Sequence, residues 1–231
     1  MQAGDVISYL DMCQAEGVNL QQGMNFQLRG GRSVILMSVR TGAPYADQVE
    51  NGGRVLIYDG HDQPRTRKTP NPKLIDQVLE TETGSTTQNG RFFASARLHR
   101  ETGAPAELVR VYEKVRAGIW VYNGVFRLTD GWAENVDGRR VFKFRLDITE
   151  ADMPVTVGES ELAPDQNRLI PTPIKITVWN RDRGKCVQCG ASDNLHFDHV
   201  IPYSRGGSSL VAENIQLLCA RHNLAKRDRI E

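Results

Sequence analysis

Residues Cys186–Asn223 read CVQCGASDNLHFDHVIPYSRGGSSLVAENIQLLCARHN. Cys186 and Cys189 form a C-x-x-C knuckle, and Cys219 and His222 form a matching C-x-x-H. Two such pairs bring three thiolates and an imidazole together, the donor set of a closed, tetrahedral structural Zn²⁺ site. Between and beside the knuckles stand Asp198, His199, Asn214 and Asn223, none of which the zinc requires.

Zinc knuckles around a D-H…N…N set, spanning about Ile174–Arg229, resemble the HNH nucleases. The resemblance implies a zinc-stapled ββα-metal domain, a β-hairpin followed by a helix around one catalytic cation. It implies that Asp198 and Asn223 hold a Mg²⁺ or Mn²⁺, that His199 is the general base and that Asn214 braces the loop. On its residue type alone Asn214 is equally a turn residue. Asn223 stands where the family often has His, which lowers the charge of the metal site. The residue types suit phosphodiester hydrolysis. Imidazole has an ordinary pKa close to neutrality and can take a proton from water. An oxygen-ligated cation offsets charge on the phosphate. Asp198 and His199 are neighbours on an extended segment, so their side chains leave on opposite faces. The plainer reading is a zinc-stapled module without activity.

A chain of 231 residues suits one large or two modest domains. No apolar run reaches membrane-spanning length and the first residues lack a signal-peptide pattern, so the expected location is the cytoplasm, that of a bacterium given the resemblances. Three of the four cysteines lie in knuckles, the usage of a reducing compartment. Cys13 is expected in the core of a first helix. The net charge is only +1. Cations are nonetheless clustered, with Arg65, Arg67, Lys68 and Lys73 in one acid-free stretch and Arg221, Lys226, Arg227 and Arg229 in another. Such patches are either solvated faces or contacts to a phosphate backbone.

Periodicity predicts a helix over Asp5–Ala15, a connection over Gly17–Gln27, and strands over Ser33–Val39 and Arg54–Tyr58. A basic, proline-containing loop follows over Gln63–Pro72, then helices over Pro72–Glu80 and Arg91–His99. Strands are expected over Glu107–Val115, Ile119–Leu128 and Arg140–Ile148, with a turn at Asn135–Gly138. Ala151–Pro173 is acidic at first, aperiodic and proline-containing, and reads as a linker. The expected division is 1–150, a linker over 151–173, and 174–231. The fold class is α+β, a curved sheet or barrel with flanking helices joined to the zinc module.

The stretches GAPYADQV (Gly42–Val49), LIYDGHD (Leu56–Asp62), DQVL (Asp76–Leu79) and YNGVFRL…W…GRRVFKFRL (Tyr122–Leu146) resemble the SRA domains, a branch of the PUA-like β-barrels. The match spans about Arg29–Asp147. It departs at Gly60-His61-Asp62, where the family has G-G-R, and the basic loop Arg65–Lys68 stands where the family's inserting finger would be. The resemblance implies a reader of modified cytosine that flips the base and holds it between two aromatic rings. Tyr45 and Tyr58 would be those rings, and Asp47, or Gln48 with a shifted gap, would read the cytosine edge beside Asp59. Arg65, Arg67, Lys68, Arg221, Lys226 and Arg227 would meet the DNA backbone. The two resemblances together imply an endonuclease acting on double-stranded DNA with modified cytosine, working alone by nicking or as a homodimer. A non-catalytic reader and a nicking enzyme indifferent to modification are the alternatives.

Overall fold

The computed structural model describes residues 1–67, 69–149, 169–227 and 229–230. Its centre is β7 (Ile119–Val136), 18 residues long, buried over residues 121–124 and alternating between buried and accessible over residues 124–128. Around it the sheet runs β2 (Met24–Leu28), β3 (Arg32–Met37), β6 (Glu107–Arg116), β7, β8 (Arg139–Ile148), β5 (Val55–Asp59) and β4 (Gln48–Glu50). β1 (Val6–Ser8) also pairs with β7, Val6 opposite Val121. Only the β3–β6 pairing is parallel; the other pairings are antiparallel. Tyr58 on β5 reaches the Leu36 carbonyl on β3 at 3.5 Å, although β6, β7 and β8 lie between those strands. The sheet is therefore strongly curved. Met24 of β2 and Leu56 of β5, separated by four strands along the sheet, enter one apolar core. Helix α2 (Gln88–Thr102) packs Phe92 and Ala96 into that core, with Thr87 as its N-cap and Gly103 in the left-handed region at its end.

Three local expectations are corrected. The first helix, α1 (Tyr9–Glu16), begins only after Ser8 caps it, because Val6–Ser8 extend to pair with β7. The expected connection over Gly17–Gln27 contains most of β2, whose pairing partner β3 lies beyond a tight turn. Pro72–Glu80 is not a helix. Pro72–Leu74 make a single 3₁₀ turn, and the chain then extends so that the Gln77 N–H donates to the Arg140 carbonyl at 2.9 Å. That tertiary bond outweighs a weak apolar period.

The C-terminal unit comprises α3 (Thr172–Arg181), the hairpin β9 (Leu195–His199) and β10 (Ile215–Cys219), and α4 (Ala220–Lys226). Most of the expected linker lies outside the described residues. Its end does not behave as a spacer. Leu169 is buried in the sheet's core and Ile170 in that of the C-terminal unit. Val115 and Val121 of the sheet share the second core with Leu195, Phe197 and Leu217. A buried polar seam lies beside it. Lys175 of α3 donates to Glu113 at 2.5 Å and to Asn123 at 3.1 Å, Asn123 donates to Glu113 at 3.0 Å, and Thr172 donates to Glu113 as well. Burial alone would raise the Glu113 pKa, but the Lys175 ammonium and these hydrogen bonds hold it below the usual carboxylate range.

Candidate active site and metal centre

The four knuckle residues converge. The ligand atoms of Cys186, Cys189, Cys219 and His222 all lie within 4.8 Å of one another. Cys189 Sγ and Cys219 Sγ are 3.8 Å apart, and His222 Nδ1 is 3.3 Å from both Cys186 Sγ and Cys219 Sγ. A tetrahedron with metal–sulfur bonds of about 2.3 Å has edges of about 3.8 Å, so the donor set and its spacing fit a structural metal such as zinc. Burial pushes the Cys186 thiol up. Backbone donors from Cys219 and Cys189, with His222, outweigh this and bring it to about 6, poised to ligate as thiolate. Local turns set the geometry: the Cys186 N–H donates to the Ala191 carbonyl, and the Val187 N–H to Leu217 on β10.

Asp198 and His199 sit at the end of β9, paired with Gln216 and Ile215 of β10. His199 Nε2 lies 2.7 Å from Ser209 Oγ, a partner in the Gly206–Ser209 loop that the sequence did not single out. Burial, aided by the nearby Lys226 ammonium, pulls the imidazole below its ordinary pKa against the opposing pull of Asp198. Asn214 bridges the loop: its Oδ1 accepts from the Ile201 N–H at 2.8 Å, and its Nδ2 donates to the carbonyls of Ile201 and Ser208. Gly207 is needed there, since a Cβ would fall 1.8 Å from the Ile201 carbonyl oxygen.

Lys226, expected on a phosphate-facing surface, is 2 % exposed. Its ammonium lies 2.9 Å from Asp198 Oδ2 and donates to the His199 carbonyl at 2.6 Å. Lys226 follows Asn223 by one turn of α4 on the same face, and that face meets β9 through the Lys226 ammonium. Asp198 Oδ2 is buried and makes no aligned hydrogen bond, so its partner here is a cation alone. An oxygen in that position is chemically suited to a metal cation. Asn223 is half-buried on α4, and Arg221 and Arg227 are exposed.

In the sheet domain Asp47 is buried and lines two adjoining cavities, of about 520 and 420 Å³. Its carboxylate accepts from the Ser38 N–H at 2.9 Å and the Asp59 N–H at 3.1 Å. Burial pushes its pKa up to about 7 despite those donors. Gln48 beside it is exposed on β4 and lines neither cavity. Asp59 is buried against the Lys143 ammonium. Tyr45 lines the larger cavity, its ring parallel to that of His61 within 20° at 5.7 Å between centroids. Tyr58 also lines the larger cavity, although it is only 1 % exposed and belongs to the core, and its hydroxyl reaches His61 Nε2 at 3.2 Å. Arg65 and Arg67 are exposed on their loop, and Lys68 lies outside the described residues.

Residues 186–229 match the family model described as HNH endonuclease. The C-terminal unit contains an HNH domain. No curated protein matches the chain. Among solved structures, the SRA domain of SUVH5 bound to fully hydroxymethylated CG DNA is 25 % identical with a TM-score of 0.46, covering 71 % of this chain and 94 % of that one. The same domain on methylated CHH DNA is 24 % identical with a TM-score of 0.45 and the same coverage. The modification-dependent TagI restriction endonuclease is 18 % identical with a TM-score of 0.42, covering 97 % of this chain and 76 % of that one. No described helix is long and apolar enough to cross a membrane.

Proposed function

We propose that this chain is a metal-dependent DNA endonuclease directed by modified cytosine, acting in the cytoplasm against modified foreign DNA. The carrying observation is the Asp198–His199 pair at the end of β9, beside a Cys₃His cluster, inside the segment that matches the HNH family. Zinc on the four knuckle residues would fasten the hairpin to α4. Asp198 and Asn223 would hold a Mg²⁺ or Mn²⁺, which supplies charge stabilisation at the phosphate and leaving oxygen. His199, neutral near pH 7 and fixed by Ser209, takes a proton from the attacking water. Asn214 keeps the 200–208 loop in shape around it.

Recognition is assigned to the cavity at Tyr45 and Asp47. An extruded cytosine offers its exocyclic amine to a carboxylate, and stacking against Tyr45 offsets the cost of unstacking it from the duplex, a few kcal/mol. Arg65, Arg67, Arg221 and Arg227 are exposed and available to phosphates. One active site cuts one strand, so duplex cleavage calls for a homodimer or two successive nicks.

The test is cleavage of one duplex made with cytosine, 5-methylcytosine or 5-hydroxymethylcytosine, with Mg²⁺ or Mn²⁺. Cutting confined to a modified duplex, and reduced about 10²–10⁴-fold in His199→Ala, is the expected result. Equal cutting of all three removes the modified-base reading. Binding without cutting under any metal makes the chain a reader, with the Lys226 ammonium as the permanent partner of Asp198.

A further inference from the structure

The cavity beside Asp47 has one flat wall in Tyr45, and the loop after β5 supplies a second. The His61 ring faces Tyr45 nearly parallel, at 5.7 Å between centroids. The loop that carries it is held with unusual care. The His61 N–H donates to Asn89 Oδ1 at 2.8 Å, and the His61 carbonyl accepts from Asn89 Nδ2 at 2.8 Å. Asn89, on α2, is 2 % exposed. The preceding Gly60 is held in the same way, its N–H donating to the Phe142 carbonyl at 2.7 Å and its carbonyl accepting from Gln77 Nε2 at 2.6 Å. Two buried amides from distant parts of the chain thus fix the peptide on which the imidazole stands.

The side chain is fixed too. Tyr58 Oη lies 3.2 Å from His61 Nε2. The main chain at Gly23 passes so close that a Cβ would fall 2.6 Å from that hydroxyl and 2.7 Å from Nε2. Burial brings the His61 pKa down to about 4, so near neutrality the ring is an uncharged flat plate. The Lys73 ammonium also lies over the Tyr45 ring, 3.9 Å from its centroid, itself held at 2.8 Å by Asp62.

Resting on the modified-cytosine reading above, we infer that His61 and Tyr45 are the two faces between which the extruded base is held, with Tyr58 orienting the imidazole from within the core. A base between two rings needs them about 6.8 Å apart, two stacking layers of roughly 3.4 Å. The ring planes are no farther apart than their centroids, 5.7 Å, so the pair must open by at least about 1 Å. Tyr45, on a segment without regular structure, is the member that moves, because His61 is clamped.

The experiment is binding of the full chain, without added divalent metal, to otherwise identical duplexes containing one 5-methylcytosine or one cytosine. His61→Ala is expected to lose about 5- to 150-fold of the preference for the methylated duplex, the weight of one base–ring stack. His61→Phe, which keeps a flat ring, is expected to retain most of it. Tyr58→Phe is expected to lose less than His61→Ala. Circular-dichroism melts of each variant control for folding. If His61→Ala keeps the preference while Tyr45→Ala or Asp47→Asn loses it, the cavity reads the base and His61 is not one of its faces. If none of the three changes the preference, the cavity is not the reader, and the role of His61 falls with it.

Discussion

Glu113 and Asp47 are buried carboxylates of the same domain, and their surroundings are opposite. Glu113 meets the Lys175 ammonium, a hydroxyl and an amide, and its charge is fully answered. Asp47 is held by main-chain N–H groups at the edge of a cavity, and burial prevails over them. The first is built to join two units. The second keeps a carboxyl held only by main-chain donors, with a raised pKa, at an opening, which is the condition of a group that receives a ligand.

The largest effect should come from breaking the completed site. Lys175→Met leaves Glu113 buried without its cation and is expected to cost about 3–5 kcal/mol in urea unfolding. Adding Glu113→Leu to it should restore most of that loss, because a buried pair replaced by apolar side chains is often near neutral. Failure of the double variant to recover would mean that Glu113 does more than bind Lys175.

Asp47→Asn should behave otherwise. Its stability cost is expected to be about 1 kcal/mol, for the one main-chain N–H left without a good acceptor. Discrimination between 5-methylcytosine and thymine at the same position should fall by about 1–3 kcal/mol, read from competition binding. A large stability loss with unchanged discrimination would make Asp47 another structural carboxylate.

The smallest effect is a pair of opposite pH slopes, each at most about 1.4 kcal/mol per pH unit. The folded pKa of Asp47 is raised, so the native state binds its proton more tightly than the unfolded chain. Its contribution to stability is greatest below the unfolded pKa of 3.8 and is lost as pH rises to about 7. The folded pKa of Glu113 is lowered, so its contribution is complete above the unfolded value of 4.5 and is lost as pH falls below that. Subtracting Asp47→Asn and Glu113→Gln unfolding curves from wild type across about pH 2–8 isolates the two slopes. Asp59 and Lys143 act electrostatically on Asp47 and belong in the control set.

The zinc module was legible because its ligands form two short knuckles whose spacing carries the geometry, and strands of alternating character such as Arg140–Ile148 were legible for the same local reason. Elements set by distant partners were not. Val6–Ser8 extend only because β7 receives them, and Gln77 unwinds an apparent helix to reach Arg140. The cavity mixes both cases. Tyr45 and Asp47 are close in sequence, whereas His61 becomes a wall through Asn89 on α2, a relation that no spacing encodes. Lys226 reads as a surface cation, and only the packing of α4 against β9 turns it inward to Asp198. The end of the expected linker reads as a spacer because Leu169 and Ile170 look like any apolar pair until the two cores that bury them are seen.

That shared core makes the two units a single casting. Val115 and Val121 seal the same interior as Leu195 and Phe197, so the two units cannot swing apart without opening it to water. In the proposed enzyme the captured base then works as the stop on a guillotine. Scission falls at one set offset from it, and the ends of the fragments, aligned on the modified base, should stack into a single sharp peak instead of a smear.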